Sequence, residues 1–128
     1  PFAPLPGAML ERVDTLVVNR VEAAAMVGAP IVGIADALEG ATMLIGRGVR
    51  AAVVTLGADG AVVTTGESCV HIPAPRVPVI DTTGAGDVFV GTLAALIADD
   101  QPLDRAVVIA VARASASVSS VGARAPTL

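Results

Sequence analysis

Two aspartates flank a run of very small residues in Asp81-Thr82-Thr83-Gly84-Ala85-Gly86-Asp87, and a long apolar segment follows at once. Small side chains at 84–86 let successive backbone N–H groups face one space. A helix starting there adds the positive end of its dipole. Such a cradle holds an anion, or stabilises negative charge as it develops. Asp87 falls in the first turn of this predicted helix, where the dipole alone favours a carboxylate. Taken singly it is a helix-start acid. Asp81, six residues earlier across the turn, has no such explanation. A Gly-x-Gly turn also suggests a dinucleotide site. Phe89, however, stands where the third glycine belongs, and Asp87 would repel a pyrophosphate.

Composition narrows the chemistry further. All eight basic residues are Arg and there is no Lys. That excludes a P-loop, a protein-kinase strand lysine and Schiff-base chemistry. Phosphate would have to be met by backbone N–H groups, Arg or a metal. Cys69 and His71 are each the sole residue of their type, which rules out an intramolecular disulfide, a thiolate cluster and a multi-His metal site. Both are expected to be strand side chains. The net charge is −4 with no basic run, so neither nucleic acid nor an anionic membrane is an expected partner. No apolar run is long enough to span a bilayer: Ala23 to Ala35 is interrupted by Gly28, Pro30 and Gly33. No signal peptide is visible, and a cytoplasmic location is expected.

The elements that must carry the site follow from periodicity. Thr15–Asn19 reads as a short buried strand, and 20–28 as a helix stopped by Gly28-Ala29-Pro30. Residues 34–46 form a second helix. Ala51–Leu56 is a near-continuous apolar run, as in a strand covered on both faces. A turn at 57–60, a strand at 61–65, a turn at 66–68 and a strand at 69–72 read as antiparallel pairs at a sheet edge. Pro73, Pro75 and Pro78 mark an extended linker. Helices follow, from the Gly-Ala-Gly turn to about Ala98 and from Leu103 to about Ser119. With 54% hydrophobic but only 2% aromatic residues, the core must be built from Val, Ala, Leu and Ile. Its 128 residues suffice for one domain and one core. The expected class is α/β in layers, with a mainly parallel sheet and an antiparallel edge.

The segment Asp81-Thr82-Thr83-Gly84-Ala85-Gly86-Asp87-Val88-Phe89-Val90-Gly91 closely resembles the signature of ribokinase-like (PfkB) carbohydrate kinases, with Thr92 standing where Ala or Gly is usual. The resemblance implies that Asp87 takes the proton from a sugar hydroxyl and that the amides of Gly84, Ala85 and Gly86 form an anion hole for the transferred phosphoryl group. Asn19-Arg20-Val21-Glu22 resembles the family's Asn-x-x-Glu motif, implying that Asn19 and Glu22 help place magnesium and phosphate. Taken alone, Glu22 is a first-turn helix acid. Thr55-Leu56-Gly57-Ala58-Asp59-Gly60 resembles the nucleotide-edge segment, which implies ATP beside Thr55, Gly57 and Gly60; taken alone it is a strand and a turn. Ser117, Ser120 and Gly122 match positions that, with Asp81 and Thr83, ring a monovalent cation, by which potassium is implied. Val111 falls where an Asn or His near adenine is frequent.

The resemblance covers nearly the whole chain but only the C-terminal, nucleotide-binding part of a typical ribokinase-like member. It implies a layered α/β/α fold of which residues 1–128 are the C-terminal portion. The N-terminal sugar-binding half and lid are absent, and with them a Gly-Gly sugar motif. Two functions remain in view: ATP-dependent phosphorylation of a sugar hydroxyl, or a catalytically silent remnant that binds nucleotide or a partner. With the neighbouring half of the sheet missing, Thr15–Asn19 or Ala51–Leu56 is expected to present an unpaired edge through which the chain self-associates.

Overall fold

The computed structural model describes residues 14–78 and 84–119. By its contacts the chain divides into two compact units, Pro1–His71 and Ile72–Leu128. The division falls at the end of a strand, just before the segment holding Pro73, Pro75 and Pro78. Proline donates no backbone hydrogen bond, so such a segment cannot extend a ladder.

In the first unit, β1 (Thr15–Asn19) leads into helix α1 (Arg20–Val27) and helix α2 (Ile34–Gly46). After these come β2 (Ala51–Thr55), a 3-10 turn (Gly57–Asp59), β3 (Ala61–Thr65) and β4 (Cys69–Ile72). The sheet order is β1-β2-β3-β4. β1 and β2 are parallel, with Asn19 opposite Thr55; β2 and β3 are antiparallel, with Val54 opposite Val62. Ala51–Leu56 is therefore flanked on both sides and offers no open edge. Among the described residues only β1, of the two strands expected to be open, has a single neighbour.

Both helices of the crossover lie on one face of the sheet. Alternation puts Val18, Ala52, Val54 and Val62 on that face, where they meet Ala23, Met26, Val27, Ala37, Ala41 and Leu44. Most of these helix residues are small, so the helices approach the sheet closely without aromatic filler. Gly40 extends this: a Cβ there would lie 3.0 Å from Cδ1 of Ile31. Residues of the alternate parity, Ala51, Val53, Ala61 and Val63, are buried as well, as expected of a strand pair without a solvent face.

Helix ends follow local chemistry. α1 stops at Gly28, whose φ of +74° is left-handed and whose N–H donates to the Ala24 carbonyl at 2.9 Å. α2 starts where the Asp36 carboxylate accepts from the N–H groups of Val32 (3.0 Å) and Gly33 (3.2 Å). These bonds, that from Gly33 first, hold the Asp36 carboxyl below its ordinary range. Cys69 and His71 are strand residues, as expected. Cys69 is exposed, and His71 is half-buried with Nε2 2.7 Å from the Asp59 carbonyl.

In the second unit, helix α3 (Ala85–Ala98) packs along helix α4 (Leu103–Val118). Phe89 and Leu93 of α3, and Ala106, Val107, Ala110 and Val111 of α4, are buried. No helix among the described residues is long and apolar enough to cross a membrane.

Candidate active site

The segment expected to cradle an anion sits where α3 begins. Gly84 is its N-cap, with φ +82° and ψ −1°, a left-handed conformation that strains any residue with a Cβ. Its carbonyl accepts the first helical bond, from Val88 N at 2.9 Å. The amides of Ala85, Gly86 and Asp87 precede that bond, and no N-cap side chain takes them up. Within its own unit, nothing lies within 4 Å of a Cβ built on Gly86, so packing there does not require a glycine. A glycine inside a helix costs about 1 kcal/mol relative to Ala, and here it leaves the cradle open to an approaching group. Asp87 is the third residue of the helix and is exposed.

In the first unit, Asn19 and Thr55 sit side by side at the C-terminal ends of two adjacent parallel strands, which is where open α/β sheets bind ligands. A groove of about 420 Å³ lies there, lined by Asn19, Arg20, Val21, Thr55, Leu56 and Gly57. The structure thus brings three of the predicted nucleotide residues, Asn19, Thr55 and Gly57, to one groove. Gly60 is buried behind it. Its N–H donates to Gly57 O at 3.0 Å and its carbonyl accepts from Leu56 N at 2.8 Å, closing the turn that carries Gly57. Asn19 and Glu22 form a reciprocal capping box. Glu22 N–H donates to Asn19 Oδ1 (2.8 Å) and Asn19 N–H donates to Glu22 Oε1 (2.9 Å). The Asn-x-x-Glu spacing is therefore that of a helix start, and it ties Glu22 to Asn19, which lines the groove.

Of the residues expected around a monovalent cation, Asp81, Thr83, Ser120 and Gly122 lie outside the described residues. Ser117 is buried in the last turn of α4, and its hydroxyl donates to Ala114 O at 2.8 Å. Carbonyls in a last turn lack helical partners, which suits a backbone ligand.

The whole chain follows one family pattern: residues 2–128 match the pfkB family carbohydrate kinase model. The chain belongs to the pfkB family of carbohydrate kinases. A 1-phosphofructokinase from Haloferax volcanii is 41% identical over 111 residues, covering 86% of this chain and 36% of that protein. The structure of Arabidopsis thaliana ribokinase complexed with ribose and ATP superposes with a TM-score of 0.81 at 26% identity, covering 92% of this chain and 38% of that one. Phosphofructokinase-2 from Escherichia coli in complex with potassium gives 0.81 at 29% identity, covering 92% of this chain and 39% of that one. The chain thus spans well under half the length of these relatives, and its α/β fold is ribokinase-like.

In the pfkB frame, magnesium would be held largely by substrate phosphates and water. Among the described residues no three His, Cys, Asp or Glu side chains cluster as metal ligands. A single carboxylate bonded to a groove-lining residue fits that arrangement: the capping box occupies only Oε1 of Glu22, leaving Oε2 without a protein partner among the described residues.

Sequence reasoning passed over Arg20. Its guanidinium donates to Val32 O (2.9 Å) and Leu56 O (3.2 Å) and pairs with Asp59 at 3.5 Å. These partners lie 12 to 39 residues away, so no local pattern could have shown them. The nearest signal was an Arg inside a resembling motif in a chain without Lys.

Proposed function

We propose that this chain supplies the ATP site, the anion hole and the catalytic base of a kinase that phosphorylates a sugar hydroxyl. On this reading residues 1–128 are the C-terminal portion of a longer kinase domain whose sugar contacts come from elsewhere. The cradle at the start of α3 carries the proposal. It combines a left-handed Gly84, three amides without an N-cap side chain, and Asp87 as the third helical residue.

The Asp87 carboxylate accepts the proton of the sugar hydroxyl as that oxygen forms its bond to the γ-phosphorus of ATP. The bond between the γ-phosphorus and the β–γ bridging oxygen breaks, and its electron pair leaves with ADP. Asp87 then releases the proton to water. The amides of Gly84, Ala85 and Gly86 meet the charge on the transferring phosphoryl oxygens, where fixed dipoles act without reorganising. Asn19, Thr55, Gly57 and Gly60 shape the groove for the nucleotide, and Glu22 would help hold its magnesium. Bound magnesium would neutralise phosphate charge. Asp81, Thr83, Ser117, Ser120 and Gly122 are the proposed potassium ring. ATP as donor fits a cytoplasmic reaction.

The relatives include a phosphofructokinase and a ribokinase, so the acceptor is proposed only as a sugar or sugar phosphate. The test is Asp87→Asn in the full-length protein. It keeps the side-chain shape, so ATP binding should persist while phosphoryl transfer falls by about 10²-fold or more, the range of general-base loss. Turnover like that of the wild type would remove Asp87 from the role. Nucleotide binding without transfer in the wild type would instead favour a silent remnant.

A further inference from the structure

The η-nitrogens of Arg20 reach three separate pieces of the first unit: the α1–α2 loop at Val32 O, the end of β2 at Leu56 O, and the 3-10 turn at Asp59. Two of these contacts hold the segment whose Leu56 and Gly57 form one wall of the groove, while the backbone of Arg20 follows the Asn19 cap on the other. The same turn is gripped from behind, where His71 Nε2 lies 2.7 Å from Asp59 O. The Asp59 carbonyl only accepts, so Nε2 donates.

Gly57 has φ +60° and nothing within 4 Å of a built Cβ. Backbone bonds close the turn on itself (Gly60 N–H to Gly57 O, Asp59 N–H to Leu56 O), and Arg20 and His71 tie that closed turn to α1 and β4. We infer that Arg20 is a positioning residue that sets nucleotide affinity by fixing the Leu56–Asp59 wall at a constant distance from Asn19, with His71 as its support from β4. This rests on the groove being the nucleotide site. A planar fork serving two carbonyls and a carboxylate is a task for Arg, because the Lys ammonium is a single point charge. Loss of the fork would leave the Leu56 carbonyl with the Asp59 N–H as its donor (3.1 Å) and remove the side-chain ties between the turn and α1. Nucleotide would then have to order the wall on binding, which weakens affinity without touching the chemical step.

The experiment uses the full-length protein with Arg20→Ala, Arg20→Lys and Thr55→Trp, read by steady-state kinetics and by binding of a non-hydrolysable ATP analogue. Arg20→Ala should raise the KM for ATP and the Kd of the analogue by about tenfold, with kcat and the sugar KM nearly unchanged. Arg20→Lys should behave like Arg20→Ala. Lys values equal to wild type would mean that Arg20 acts as a charge on the phosphates, and would overturn the inference. So would a lower melting temperature with unchanged KM for ATP, or a fall confined to kcat. If Arg20→Ala does not fold, Arg20→Lys and His71→Ala carry the same comparison. Thr55→Trp fills the groove. If it raises the KM for ATP while the Arg20 variants do not, the positioning role alone fails. If it leaves the KM unchanged, the groove is not the nucleotide site and both conclusions fall together.

Discussion

Helices α1 and α3 begin in opposite ways. At α1 the orphan amides are met from within, by Asn19 Oδ1 on Glu22 N–H, and Glu22 returns the bond to Asn19 N–H. At α3 the N-cap is a glycine with no side chain to offer, and no N-cap bond takes up the first amides. Both starts are rich in residues that match the family's site motifs, yet only the second sacrifices helix stability for an opening. A capped start fixes its own side chains; an uncapped start can itself bind. The motif at 19–22 therefore has a structural job in the atoms for which a functional one is proposed, while the motif at 84–87 is locally unfavourable and has a role only in the proposed function.

The largest effect that would break this contrast is expected at Gly86. Gly86→Ala removes a glycine from the first turn of a helix and meets nothing within its own unit, so stability should rise by up to about 1 kcal/mol. The amide is kept, but the new methyl stands in the space left for the phosphoryl group, so activity of the full-length protein should fall by about 10²-fold, as it would if the anion could not reach one of its donors. Opposed changes in melting temperature and kcat would confirm that the α3 start is kept for a ligand. Activity at the wild-type level would leave the glycine without an explanation.

A smaller pair of effects separates the two jobs at α1. Asn19→Ala removes the cap and should cost about 1 kcal/mol, read by urea denaturation. Glu22→Gln keeps the capping geometry, since Gln also returns that bond, but removes the charge. It should leave the denaturation midpoint in place while lowering kcat/KM for magnesium-ATP by about tenfold, the scale of a lost outer contact to a metal. If Glu22→Gln changes neither quantity, the motif is a helix cap and nothing more.

The contrast also explains what could be read from the chain beforehand. Helix stops at Gly28, the β-branched strands and the Gly-Ala-Gly turn are local signals, and each element appears within a residue or two of its expected bounds. The chemistry at 84–87 is equally local, because a helix N-terminus makes its site from consecutive amides. The groove is different. It needs Asn19 and Thr55 in parallel register and a turn held by Arg20 and His71 across long sequence separations. Which strand lies at an edge is likewise a property of the order β1-β2-β3-β4, and apolar runs at 15–19 and 51–56 look alike until that order is known. Asn19 and Glu22 were legible as a pair only through the motif they resemble, and their reciprocal bonding was not legible, because a first-turn acid can face water as readily as a cap.

The smallest expected effect tests the capped class on a helix outside the site. Asp36 is the third residue of α2, and its carboxylate accepts from Gly33 and Val32 N–H. Those bonds favour the charged form and lower its pKa from the ordinary 3.8. A depressed folded-state value means that the unfolded chain takes up this proton first as pH falls. The contribution to stability is therefore full above about pH 3.8 and is lost as pH drops through the lower folded value. Asp36→Asn removes the titrating group but keeps an acceptor oxygen. Denaturation midpoints of the two proteins should differ modestly at neutral pH, with the wild type more stable, and the gap should narrow in acid. Salt should narrow it too, because the carboxylate is exposed. A gap independent of pH would mean that the substituted amide fails through its shape, and that the charge at this helix start contributes nothing.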